Sequence, residues 1–140
     1  MQFAAPGAKI LIVDDIDINL SVAEALLSTF GIVPDLALSG EEAIAHAQNR
    51  RYDIIFMDHM MPEMDGVEAA ARIRRLGGWN GEVPIVALTA NAISGMRQFF
   101  LDNCFDDFLT KPIEINSFNL CLKKWLPPEL TSEQPTQIPQ

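Results

Sequence analysis

Long apolar runs, clustered cationic residues and paired cysteines are all missing from this 140-residue sequence, and each absence removes a class of function. No stretch approaches the roughly 20 apolar residues of a membrane-crossing helix, and the opening MQFAAPGAKI lacks the basic-then-apolar order of a secretory signal. A cytoplasmic setting without membrane contact is therefore expected. Ten Lys and Arg stand dispersed against 19 Asp and Glu, for a net charge of −9, so no basic patch is available to meet nucleic acid phosphates or an anionic surface. Cys104 and Cys121 have no CxxC spacing and sit in apolar segments read as helical, which marks them as two reduced core thiols rather than a disulfide or a metal pair. The first apolar run continues into DDID and not into a Gly-rich turn, which disfavours a nucleotide-binding module.

What remains is enough apolar sequence for one core. The short apolar runs KILIVD (9–14), VPDLAL (33–38), DIIFMD (53–58), PIVALT (84–89) and DFLTK (107–111) read as strands. Helical spacing appears between them. In IDINLSVAEALLSTF the residues Ile16, Leu20, Ala23, Leu27 and Phe30 fall on one stripe, with Gly31 as a stop. Ser39 with Glu42, and Asp65 with Glu68, have the spacing of capping boxes that open the second and third helices, the third ending at Gly77-Gly78. Further helices are expected at 91–103 and 114–126. Five strands alternating with five helices predict an α/β sandwich of parallel strands with helices on both faces. Residues 8–127 form the expected domain, with 1–7 and 128–140 read as linkers from their Pro, Gln, Ala and Thr content.

The stretch IIFMDHMMPEMDG (54–66) delivers one acid, Asp58, at the end of a buried-strand pattern, then breaks into a Pro-containing turn ending in Gly66. In an open parallel sheet, ligands bind beyond the carboxyl ends of the strands. Those ends carry Asp14 and Asp15, Asp58, Thr89 and Lys111. Each has a plainer reading: a helix cap for Asp14, Asp15 or Thr89, a solvated strand end for Lys111. Together they suggest chemistry. Converging carboxylates repel unless a cation neutralises them, and Mg²⁺ takes one or two protein carboxylates together with waters and phosphate oxygens. With Lys111 as a cation, Thr89 as a hydroxyl donor and Ala90 small enough to leave an approach, the set contains what phosphoryl transfer to a carboxylate needs.

Over about residues 8–127 the sequence resembles the receiver domain of two-component response regulators, through VDD (13–15), DHMMPEMDG (58–66), LTA (88–90) and LTKP (109–112). The resemblance implies a flavodoxin-like (βα)5 three-layer sandwich with strand order 2-1-3-4-5. It implies that Asp58 accepts a phosphoryl group from a phosphohistidine on a histidine kinase or histidine phosphotransfer domain. It implies Mg²⁺, with Mn²⁺ as a substitute, held by Asp15, Asp58 and the backbone carbonyl of Met60, and by Asp14 through water. Thr89, Ala90 and Lys111 would contact the phosphoryl group, the peptide before Pro112 would be cis, and Phe108 would pair with Thr89 as a switch, without the hydroxyl a Tyr would bring. The FAAPGA opening (3–8), LTANA (88–92) and WLP (125–127) resemble receivers embedded in hybrid sensor histidine kinases more than free-standing regulators. As an isolated, monomeric domain the chain would not be an enzyme.

Ile18 and Val22 fall off the first helix's core stripe beside the acidic site, and with Pro112 and Ile113 they make an expected docking patch for the phosphodonor. His46 is expected to be exposed, His59 to line the rim, and Trp79 to cover a helix end in a loop. Two histidines and no helical-bundle segment leave the chain without a phosphodonor of its own. A haloacid dehalogenase-like phosphatase would use a similar set, but the second acid of its D-x-D motif is Met60 here.

Overall fold

The apolar runs become the central sheet. In the computed structural model, which describes residues 4–90, 96–127 and 130, the strands are β1 (Ile10–Val13), β2 (Asp35–Ala37), β3 (Ile54–Asp58), β4 (Ile85–Thr89) and β5 (Asp107–Thr110). The helices are α1 (Asp17–Ser28), α2 (Gly40–Asn49), α3 (Gly66–Arg75), α4 (Met96–Asp102) and α5 (Ile115–Trp125), with a short 3₁₀ turn at Gly78–Gly81. The sheet has the order β2-β1-β3-β4-β5, with parallel pairing throughout. This is the flavodoxin-like sandwich expected from the sequence.

The continuous runs are explained by side chains that alternate between two buried faces. Ile10, Ile12, Ile54, Phe56, Val86 and Leu88 pack with α1 and α5 around Leu27 and Phe118. Leu11, Val13, Ile55, Met57, Ile85 and Ala87 face α2 and α3, with Phe100 and Phe105 completing that layer. Register brings the strand ends level: Asp58 pairs with Leu88, and Thr89 with Thr110.

Local chemistry sets the helix starts. Ser39 Oγ accepts from the Glu42 N–H, and the Glu42 carboxylate reaches back to the Leu38 N–H, one residue earlier than a capping box requires. Asp65 caps α3 through the Glu68 N–H, while the Glu68 carboxylate turns to Arg72. Gly31 and Gly77 have φ of +78° and +76°, which accounts for glycine at both helix ends.

Several expectations need correction. Ile16 is half exposed, because it precedes α1 in extended conformation with φ of −108° and the helical stripe cannot reach it. Cys104 is not helical: it lies in the turn after α4 with φ of +76°. Cys121 is a buried helical thiol, pushed up to about 12 by burial and the nearby Asp107 carboxylate. His46 is half-buried on α2. Of the fourth helix expected over 91–103, residues 91–95 lie outside the described residues and α4 covers Met96–Asp102. Apart from these corrections, Ala5 is fully buried and donates its N–H to the Phe30 carbonyl, and Leu130 packs on the same core.

Candidate functional site

Two strand ends bring the three acids together. Asp14 follows β1, and its Oδ1 accepts from the Ile16 N–H at 3.0 Å, so it shapes the entry to α1 as well as facing the site. Asp58 closes β3. Asp14 and Asp58 are almost wholly buried and Asp15 is half-buried. One oxygen from each of Asp14, Asp15 and Asp58 lies within 4.8 Å of the others.

Lys111 stands one residue beyond β5 and reaches into this cluster. Its Nζ lies 2.9 Å from Asp58 Oδ1 and 3.0 Å from Asp14 Oδ2. Its backbone N–H donates to the Thr89 carbonyl at 2.7 Å, which ties the end of β5 to the end of β4. The Lys111–Pro112 peptide is cis. Burial alone would lower the proton affinity of Lys111, but its hydrogen bonds to Asp58 and Asp14 outweigh that and raise it.

Asp58 shows the opposing pulls most clearly. Burial raises its pKa from 3.8 to about 6; the Lys111 hydrogen bond pulls downward, and the Asp14 charge and the Asp15 hydrogen bond push upward. One ammonium therefore does not balance this acidic set. Buried oxygens this close, with excess negative charge, fit a hard divalent ion of the Mg²⁺ type.

The turn after β3 explains why Asp58 is followed by MMPEMDG. Gly66 N–H donates to the His59 carbonyl at 3.0 Å, and a Cβ at position 66 would lie 2.3 Å from the Asp58 carbonyl oxygen. Only a glycine lets α3 start against the acid's own backbone. The sequence signalled the turn, but not that close approach.

Thr89 is buried at the end of β4, and Ala90 beyond it is exposed. The Met60 side chain is exposed at the start of the turn. Phe108 is half-buried on β5, opposite Ala87, with its ring 5.5 Å from that of Phe100. Ile18 and Val22 are 68% and 49% exposed on α1, Pro112 is exposed and Ile113 is half-buried. A cavity of about 120 Å³ with Ile12, Val22, Leu88 and Ile113 in its walls opens beside Asp14 and Lys111.

His59 does more than line the rim. Its N–H donates to the Leu88 carbonyl at 2.9 Å, and its ring packs against Phe99 and Phe100 of α4. Trp79 lies in the 3₁₀ turn, donates its indole N–H to the Tyr52 carbonyl and sits under Arg51.

Comparison with known proteins agrees with this geometry. The model of the response regulator receiver domain matches residues 10–122. The chain is 34% identical to probable histidine kinase 1 of Oryza sativa subsp. indica over 87% of its length and 16% of that protein's. It is 38% identical to hybrid signal transduction histidine kinase G of Dictyostelium discoideum, over 85% of the chain and 4% of the relative. It thus spans a small part of the curated relatives it matches. Among solved structures, the receiver domain of sensor histidine kinase PA1611 from Pseudomonas aeruginosa PAO1, with a magnesium ion in its active site cleft, is 38% identical with a TM-score of 0.77, covering 85% of this chain and 97% of that one. A co-crystal structure of the Saccharomyces cerevisiae histidine phosphotransfer protein Ypd1 with the receiver domain of Ssk1 matches at 30% identity and a TM-score of 0.78, over 89% of this chain and 90% of that one. With its sheet order, its acidic cluster and a family match spanning most of its length, this chain belongs to the response regulator receiver domains.

Proposed function

We propose that this receiver domain takes a phosphoryl group on Asp58 from a phosphohistidine in a phosphorelay, as a module of a hybrid histidine kinase. The observation that carries the reading is the convergence of Asp14, Asp15 and Asp58 within 4.8 Å around a carboxylate already hydrogen-bonded to Lys111. In the transfer, an oxygen of the Asp58 carboxylate forms the new P–O bond as the P–N bond breaks. The bonding pair returns to the imidazole nitrogen, and the ring, protonated on its other nitrogen, leaves as neutral imidazole. No general base is needed, because the carboxylate already carries its lone pairs. Lys111 and Thr89 stand at the strand ends to meet phosphoryl oxygens, and exposed Ala90 leaves the approach open.

Asp14, Asp15, Asp58 and the Met60 carbonyl would hold Mg²⁺, with Mn²⁺ as a substitute. When bound, the ion shields the charge between acceptor and phosphoryl group. Phe108 would act with Thr89 as the responding pair. The isolated domain is read as a phosphoacceptor that assists its own labelling, not as a kinase, and as a cytoplasmic monomer.

The partner would be a histidine phosphotransfer domain or histidine kinase whose helices rest on Ile18, Val22, Pro112 and Ile113. Support comes from the exposure of Ile18, Val22 and Pro112 and from the Ypd1 complex of a similar receiver.

Intact mass after incubation with acetyl phosphate tests the chemistry: one phosphoryl group should be gained with Mg²⁺ and none with chelator. Labelling that ignores the metal would refute the site. Ile18→Glu tests the surface. Transfer from a histidine phosphotransfer protein should slow at least tenfold while acetyl phosphate labelling stays unchanged, and equal loss with both donors would place the damage in the site itself.

A further inference from the structure

The residue after the acceptor is held in three directions. The His59 N–H is bound by the Leu88 carbonyl beside Thr89, its carbonyl accepts from the Gly66 N–H at the start of α3, and its ring meets α4. The ring stands edge-on to Phe100, with centroids 5.1 Å apart and planes at 85°, and tilted against Phe99 at 5.6 Å. These are favourable aromatic geometries. Within α4 only Phe100 is buried, and its ring also meets Phe105 at 5.6 Å and Phe108 at 5.5 Å. Beside this aromatic anchor the helix is held by half-buried Met96 and by Arg97, 3.7 Å from Asp107, and His59 is the part of the anchor directly bonded to Asp58.

We propose that His59 is a positioning residue that links occupation of Asp58 to the placement of α4, and so to the presentation of its exposed Phe99 and Leu101. The inference rests on the reading of Asp58 as phosphoacceptor. Phosphorylation replaces the Asp58 carboxylate with a bulkier acyl phosphate whose charge is about −1.5 to −2, and any shift of that strand end moves the His59 backbone, which is bonded to β4 and α3. The rigid ring passes the shift to Phe99 and Phe100. An element with a single buried residue is where a small bias in packing changes local stability most. Coupling of this kind depends on the ring and not on the proton it carries.

The test uses beryllofluoride with Mg²⁺ as the phosphoryl mimic, on wild type, His59→Ala and His59→Phe. Bound beryllofluoride is read by ¹⁹F NMR, and the response of α4 by hydrogen exchange of amides 96–102. Wild type should bind the mimic and change α4 exchange at least fivefold. His59→Ala should bind it equally and lose that change, and His59→Phe should restore it. An unchanged α4 response in His59→Ala, no response in wild type despite binding, or failure of His59→Phe to restore it would each overturn the proposal. Absence of ¹⁹F-detected binding to wild type would instead overturn the reading of Asp58 beneath it.

Discussion

Helices α3 and α4 follow the two strands that end in Asp58 and Thr89, yet the fold grips them very differently. Helix α3 buries Gly66, Ala69, Ala70 and Ile73, is capped by Asp65, and is tied down at its end by Arg74. That guanidinium donates to the Val83 carbonyl at 2.6 Å and pairs with Asp106 at 2.8 Å, and the Asp106 carboxylate also accepts from the Ile85 N–H. Helix α4 buries only Phe100. The side carrying Asp58 and its turn is firmly held, whereas α4 adds to Phe100 only the half-buried Met96 and the Arg97–Asp107 pair at 3.7 Å. On the proposed reading, the first supplies fixed geometry for chemistry and the second an element soft enough to respond to it.

The largest effect expected on the fixed side comes from Gly66→Ala. The added methyl would fall 2.3 Å from the Asp58 carbonyl, against backbone that cannot swing away. Loss of stability beyond about 3 kcal/mol by urea unfolding is expected, with reduced acetyl phosphate labelling. A variant of wild-type stability would mean that the turn is softer than the contrast with α4 requires.

Next in size is the pH dependence of Asp58. Its folded pKa of about 6 lies above the ordinary 3.8, so between pH 4 and 6 the folded chain binds more protons than the unfolded one. Stability from this group is therefore present below about pH 4 and is lost as pH rises through 6, by up to about 3 kcal/mol. With chelator present, subtracting the profile of Asp58→Asn should isolate that fall. Saturating Mg²⁺ should remove it, because the ion holds the carboxylate charged. A difference profile that is flat without metal would contradict the electrostatics described for the site.

How much of this could be read from the residues depends on what each signal measures. The strands were legible because a doubly covered sheet demands unbroken apolar runs, and the acids because each stands where such a run stops. Ile16 was misread because helical spacing was counted through a residue that lies before the helix. The hydrogen bond from the Ala5 N–H to the Phe30 carbonyl is of a kind that composition does not report. The contacts of Arg74 and His59 were not legible at all, since both depend on where distant chain segments meet: Asp106 for the first, α4 for the second. The close approach at Gly66 lay between these cases, with the turn visible and the reason for glycine hidden in the fold.

A smaller effect separates the two helices directly. Ile73→Val should cost about 1 kcal/mol globally and leave exchange protection within α4 otherwise in proportion. Phe100→Leu should raise exchange of α4 amides well beyond its global cost, because the ring is that helix's main anchor. Equal, proportionate effects would erase the distinction between a held helix and a soft one. Smallest of all, Arg72→Ala should change stability by no more than about 0.5 kcal/mol, since its partner Glu68 is similarly exposed and the pair lies one turn apart on the α3 surface.

The most direct measurement locates the phosphoryl group itself. After labelling with acetyl phosphate and Mg²⁺, reduction with borohydride converts an aspartyl phosphate to homoserine, and peptide sequencing by mass spectrometry reads its position. Homoserine at position 58, absent when Mg²⁺ is withheld, is the predicted result; homoserine at Asp14 or Asp15, or its absence from a chain that carries the added phosphoryl mass, would contradict the assignment of Asp58 as the acceptor.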